Sequence, residues 1–95
     1  MPKYYPFAIC GYYLYFTSAC VIEAFHVHAS NKQLTESGSA KFWVYENGDI
    51  RVDKRGRLKD KDINKMIQFI KDHHHEMYDF WISNGGKPEH YEKRD

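Results

Sequence analysis

Hydrophobic and polar positions alternate strictly at Phe25-His26-Val27-His28-Ala29, the pattern of a half-buried strand. Side chains along a strand point to opposite faces in turn. Phe25, Val27 and Ala29 therefore share one face, and His26 and His28 the other. This places two imidazoles side by side on one surface, about 7 Å apart at a rise of about 3.3 Å per residue. The same alternation returns over Ala40–Glu46, where Ala40, Phe42 and Val44 oppose Lys41, Trp43 and Tyr45, and again at Ile50-Arg51-Val52. Asn47-Gly48 between these runs predicts a hairpin closed by a type I′ turn, in which both central residues need positive φ. Upstream, Phe7–Cys10 and Tyr12–Thr17 are rich in strand formers, and Gly11 between them predicts a bend, bulge or tight turn. Ser30–Ser39 is polar and ends in Ser-Gly-Ser, the composition of a surface loop.

The period then changes. Ile63, Met66, Ile67, Ile70, His74, Met77, Tyr78 and Trp81 recur at spacings of three and four, which predicts a helix from about residue 60 to 84. Asp60 is the expected N-cap, and Gly85-Gly86 followed by Pro88 the expected stop. At about 100° per residue, His74 falls about 20° from the centre of the apolar stripe, His73 about 80° to one side and His75 about 120° to the other. His74 is thus expected to face the core. His73 sits at the border, on the flank of Phe69 and Phe80, where it can face a site on a strand. The expected fold is α+β: an antiparallel sheet of four or five strands with one long C-terminal helix packed on one face. Residues 1–95 form one domain, with an ordered core over about 7–84 and a flexible tail over 85–95.

Composition narrows the classes. The formal charge is +1, so no global field announces a nucleic-acid or membrane partner. Lys54, Arg55, Arg57 and Lys59 cluster before Asp60, and read as a solvated loop in preference to a phosphate site. Cys10 and Cys20 make no disulfide framework and no CxxC pair; they are expected to be buried hydrophobes in a reduced, cytoplasmic protein with no membrane segment.

Two kinds of chemistry follow from the face that carries the histidines. As a recognition surface, His26, His28, Lys41, Trp43 and Tyr45 offer an exposed patch, with Lys41, Trp43 and Tyr45 as the binding residues. A sheet covered on one side by a single helix also leaves Tyr13, Tyr15 and Trp43 to meet a second copy in a homodimer. As an enzyme, the pair supplies two imidazoles for a zinc-like divalent ion, with His73 as a third ligand, bound water as nucleophile and Glu23 or Glu76 as base. A metal-free variant uses His26 or His28 as general base and Lys41 against a phosphate, as in RNA cleavage. A His-x-His pair on a strand is more often plain surface than a ligand set, so the interaction module ranks first and the small nuclease second.

Glu23-Ala24-Phe25-His26-Val27-His28, the Ala40-Lys41-Phe42-Trp43-Val44 segment, and a final helix with His73 eight residues before Trp81 resemble the prokaryotic family called domain of unknown function 4160. The resemblance covers about Phe7–Trp81, and matches the family pattern at His26, His28, Lys41, Trp43, His73 and Trp81. It departs at Ala24-Phe25, where the family carries two prolines. It implies a small α+β domain without an established reaction. It also implies a toxin–antitoxin setting, with a protein from a neighbouring gene as partner and RNA as a further candidate.

Overall fold

The computed structural model describes residues 3–17, 20–31 and 38–90. Most of the expected Ser30–Ser39 loop and residues 91–95 of the expected tail lie outside these. Four strands, β1 (Tyr13–Tyr15), β2 (His26–Ser30), β3 (Ala40–Val44) and β4 (Ile50–Lys54), form one antiparallel sheet in chain order, followed by the helix α1 (Asp60–Ser83). This is the expected α+β architecture. A short 3₁₀ turn, η1 (Cys20–Ile22), lies between β1 and β2.

The register sorts the residues into two faces. Leu14 pairs with Ala29 and Ala29 with Ala40, while Val27 pairs with Phe42 and Phe42 with Val52. These apolar side chains meet the buried stripe of α1, formed by Ile63, Met66, Ile70, Met77 and Trp81, in a single core. On the opposite face, Tyr15 pairs with His28, His28 with Lys41 and His26 with Trp43. The register shifts between Lys41 and Phe42, so that Lys41 faces Lys54 while Phe42 faces Val52. The shift is a local bulge of the kind that bends a strand.

Local structure departs from the sequence pattern in three places. Phe7–Cys10 forms no strand: Ile9 and Tyr12 exchange hydrogen bonds of 2.8 and 3.0 Å around Cys10-Gly11, and both of those residues have positive φ. The tight turn points Cys10 outward, so the expectation that it is buried is corrected. The β3–β4 hairpin forms, but not with a type I′ turn. Tyr45 N–H donates to Asp49 O and Gly48 N–H to Tyr45 O, and of Asn47 and Gly48 only Gly48 has positive φ (+92°). This is a three-residue loop, with a type I turn closed by a left-handed glycine. Asn47 Oδ1 accepts from the Asp49 N–H and stabilises it locally. A Cβ on Gly48 would lie 2.8 Å from His74 Cε1, because the His74 ring rests on the hairpin. Finally, Lys59 and not Asp60 is the N-cap; Asp60 and Asp62 lie in the first turn, where negative charge favours the helix dipole.

The C-terminus of α1 is held in place. Gly86 N–H donates to Trp81 O and Gly85 N–H to Ile82 O, the two bonds of a Schellman motif with Gly85 at φ +88°. Gly86 then passes directly beneath the Trp81 indole, where a Cβ would collide with the ring. The chain turns back along the sheet: Lys87 N–H donates to Val21 O, Phe25 N–H to Glu89 O, and Trp81 Nε1–H to Lys87 O. His90 stacks on Tyr78 at 4.4 Å and meets the edge of Phe25. Residues 86–90, the first part of the expected tail, are thus docked on the core by backbone and ring contacts.

Trp81 joins all these parts, since its ring also packs against Phe16, Phe25 and His26. Trp81→Ala is expected to lower stability by about 3–5 kcal/mol, as for other large buried aromatics, read as a loss of midpoint in urea unfolding. Acid should act at the same place. Burial holds the His90 pKa below its ordinary 6.5; nearby Glu46 opposes this, while His74 and His75 add to it. The unfolded chain therefore binds the proton more readily, and the contribution of His90 is complete above 6.5 and lost as pH falls through and below that value. His90→Phe, which keeps the stacked ring, should flatten the dependence of melting temperature on pH below about 6.5. An unchanged slope would contradict this.

Candidate metal centre

The second face of the sheet is reached by the chain itself. Cys20 N–H donates to Thr17 O at 3.0 Å and Glu23 N–H to Cys20 O at 2.9 Å, which closes η1 into a single turn lying over β2. The turn directs Cys20 inward and leaves Ile22 exposed. As a result His26 is 0% and His28 4% exposed. The expectation of an exposed face with both histidines is corrected. Alternation assigns side chains to faces, but η1 and neighbouring aromatic rings cover this one.

Three ligand-bearing side chains meet beneath the turn. One donor atom from each of Cys20, His26 and His28 lies within 4.8 Å of the others, and all three residues are buried. Cys20 Sγ is 3.3 Å from His28 Nε2 and 3.1 Å from Thr17 Oγ1. His26 Nδ1 lies 2.8 Å from Ala24 O. A carbonyl only accepts, so that contact places a proton on Nδ1, and in the neutral ring the lone pair is then on Nε2. His26 Nε2 in turn lies 3.6 Å from Glu23 Oε2. The two imidazoles stand edge to face with centroids 5.0 Å apart, between Trp43 and Trp81 on the His26 side and Tyr15 on the His28 side. Tyr15 is itself fixed by a 2.6 Å hydrogen bond between its hydroxyl and Ser39 Oγ.

The other expected site residues divide into two groups. Lys41 and Trp43 border the cluster: Lys41 Nζ is 2.9 Å from Glu23 Oε2 and 4.3 Å above the Trp43 ring. Tyr45, one residue beyond β3, is half-buried. His73 is elsewhere. Its Nδ1–H donates to Phe69 O, its ring stacks on Phe69 at 4.2 Å and meets Tyr5, and its Nε2 lies 4.0 Å from Glu76. It takes the flank that the helical phase predicts, but that flank turns toward the N-terminal segment and α1 itself. Among the described residues, the third donor beside His26 and His28 is Cys20, not His73. His74 is half-buried, with its Nδ1–H on Lys71 O, and covers Gly48 instead of entering the core.

Cys20 is buried, as expected of a hydrophobe, but its neighbours give it a chemical role that sequence reasoning missed. The signal was a Cys-x5-His-x-His spacing, in which a short turn can fold the cysteine back over the strand. Thiolate and imidazole together favour zinc and similar soft or borderline ions. Two donors sharing a tetrahedral zinc at ordinary Zn–S and Zn–N lengths stand roughly 3.6 Å apart. The observed 3.3 Å between Cys20 Sγ and His28 Nε2 is within a few tenths of that. The Ala24 carbonyl on His26 Nδ1 is also the kind of outer partner that orients a metal-bound imidazole.

No helix among the described residues is long and apolar enough to cross a membrane. No curated protein and no solved structure matches the chain. Residues 11–82, from the turn before β1 to the last turns of α1, match the domain of unknown function DUF4160. That span includes the whole sheet, all three donor side chains and the Trp81 anchor, and the chain belongs to the DUF4160 family.

Proposed function

We propose that this chain is a small regulatory or interaction module whose second sheet face is held together by a zinc-like ion on Cys20, His26 and His28. The observation that carries the reading is the convergence of the three buried donors within 4.8 Å. Cys20 and His28 already meet through a thiol–imidazole contact, and the Ala24 carbonyl on Nδ1 orients the His26 ring beside them. An ion at this point ties η1 to β2 on a face that α1 touches through Trp81.

The nuclease reading has less support. Both histidines are covered, and Lys41 is committed to Glu23 instead of standing open to a phosphate. The partly exposed strip of Lys41, Trp43 and Tyr45 at the border is the surface we assign to a macromolecular partner, with aromatic anchors of the kind that dominate interfaces. In the toxin–antitoxin setting that the family resemblance implies, that partner is a protein from a neighbouring gene.

Untagged protein is expected to take up one equivalent of zinc, measured by elemental analysis after gel filtration. At a free zinc concentration about 100 times the dissociation constant, linkage predicts a stabilisation of about 2.7 kcal/mol, seen as a rise in melting temperature. Cys20→Ser and His26→Ala should each abolish the rise. A wild-type chain that melts identically with zinc and with chelator would defeat the proposal.

A further inference from the structure

Three protein donors leave a tetrahedral ion with one position, and what fills it decides between a reactive site and a structural one. We infer that Glu23 fills it, so that the centre is a closed Cys-His-His-Glu site. The inference rests on the metal reading above and extends it to the coordination number.

Glu23 is placed by the same turn as Cys20. Its N–H closes η1 on the Cys20 carbonyl, and its side chain reaches back over β2 until Oε2 lies 3.6 Å from His26 Nε2. A carboxylate oxygen and an imidazole nitrogen bound to one zinc stand roughly 3.4 Å apart at ordinary bond lengths, so the contact with His26 fits. Glu23 stands outside the mutually close set of Cys20, His26 and His28 and must move inward to complete it. The side chain is 43% exposed, so it can swing inward without breaking core packing. Glu23 also has the outer partner that a ligating carboxylate needs. Lys41 Nζ holds Oε2 at 2.9 Å, with its own side chain only 13% exposed and laid over Trp43. The oxygen near His26 is the one that Lys41 holds, and its two lone pairs let it keep the ammonium as outer partner while it turns to the ion. With Glu23 bound, no position remains for water, and the centre cannot generate a nucleophile. The ion then acts on shape: it fixes η1, and through Glu23 the position of Lys41 and Trp43 on the partner-facing strip.

Charge alone does not separate ligand from bystander. A carboxylate in either role strengthens binding of a cation, whereas a nearby ammonium opposes it. A bystander Glu23 would act through charge alone: its loss would weaken binding without changing the cobalt spectrum, and histidine in its place would restore nothing. If Glu23 is a ligand, its loss changes the spectrum and histidine, a neutral donor, restores it.

The test is titration of the full-length, untagged chain with Co(II) as a spectroscopic probe, for the wild type, Glu23→Gln, Glu23→His and Lys41→Met, with circular dichroism to check each fold. We expect the wild type to show the intense visible bands of tetrahedral cobalt and a thiolate charge-transfer band. Glu23→Gln should weaken binding at least about tenfold and reduce the visible intensity. Glu23→His should keep both, and Lys41→Met should bind as tightly as the wild type or more tightly. If Glu23→Gln keeps the wild-type spectrum, if Glu23→His fails to restore affinity, or if Lys41→Met weakens binding as much as Glu23→Gln, the fourth position is not Glu23 and the inference fails while the three-donor site stands. If the wild type gives no thiolate charge-transfer band at all, the site itself falls, and this inference with it.

Discussion

A single helix covers only one face of a four-stranded sheet. Every unusual feature of this chain follows from how it treats the other face. The α1 side is ordinary: an apolar stripe at helical spacing meets Leu14, Val27, Ala29, Phe42 and Val44 in a dry core. The second face has no second helix. It is closed by a three-residue turn, Cys20–Ile22, laid over a strand whose five residues are all buried. A cover that small supplies little apolar area. Polar groups are therefore taken out of water with it, and they must find partners there. Tyr15 finds Ser39, His26 finds Ala24 O, His28 finds Cys20, and Lys41 finds Glu23. The candidate site is thus the interior of the small cover, which sets it apart from a cleft added to a finished fold.

The difference between the two faces sets what could be read in the sequence. The helix was legible to within a residue or two because its signal is periodic and local: Ile63, Met66, Ile70, Met77 and Trp81 are all buried where the spacing places them. The alternation over Ala40–Val44 was equally reliable, since Ala40, Phe42 and Val44 are buried and Lys41 and Trp43 less so. Strand period assigned His26 and His28 correctly to one face. It could not say whether that face is wet, because the answer depends on where residues 20–23 travel. The hairpin was legible from Asn47-Gly48, while its turn type was not, since the choice between a two- and a three-residue loop depends on whether Tyr45 pairs with Asp49.

The site shows the same division. His26 and His28 were legible as a pair because a strand places i and i+2 together whatever else happens. The third donor depends on tertiary structure. Helical phase gave the direction of His73 from α1 correctly, but not which layer lay in that direction; it found Tyr5 and Phe69. Cys20 offered no periodicity, being in a connection. Its placement comes from η1, where one 3₁₀ turn reverses the chain and drops the thiol beside His28.

The departure at Ala24-Phe25 from the two prolines of the family pattern has a physical explanation in the C-terminal segment. Prolines stiffen the approach to a strand by fixing φ, but they have no N–H to donate. Here Phe25 N–H donates to Glu89 O at 2.8 Å, and the Phe25 ring packs against Trp81, Tyr78 and His90. A proline at residue 25 could make none of the backbone part of this contact. Ala24 has a separate task, since its carbonyl accepts from His26 Nδ1 and sets the tautomer of the first histidine. The entry into β2 is therefore held by tertiary contacts in place of a restricted backbone. Rigidity at the histidine pair then depends on residues 86–90 remaining docked, and those residues are docked through Trp81. The far end of α1 and the presentation of His26 are mechanically one unit, joined through a tryptophan that touches both.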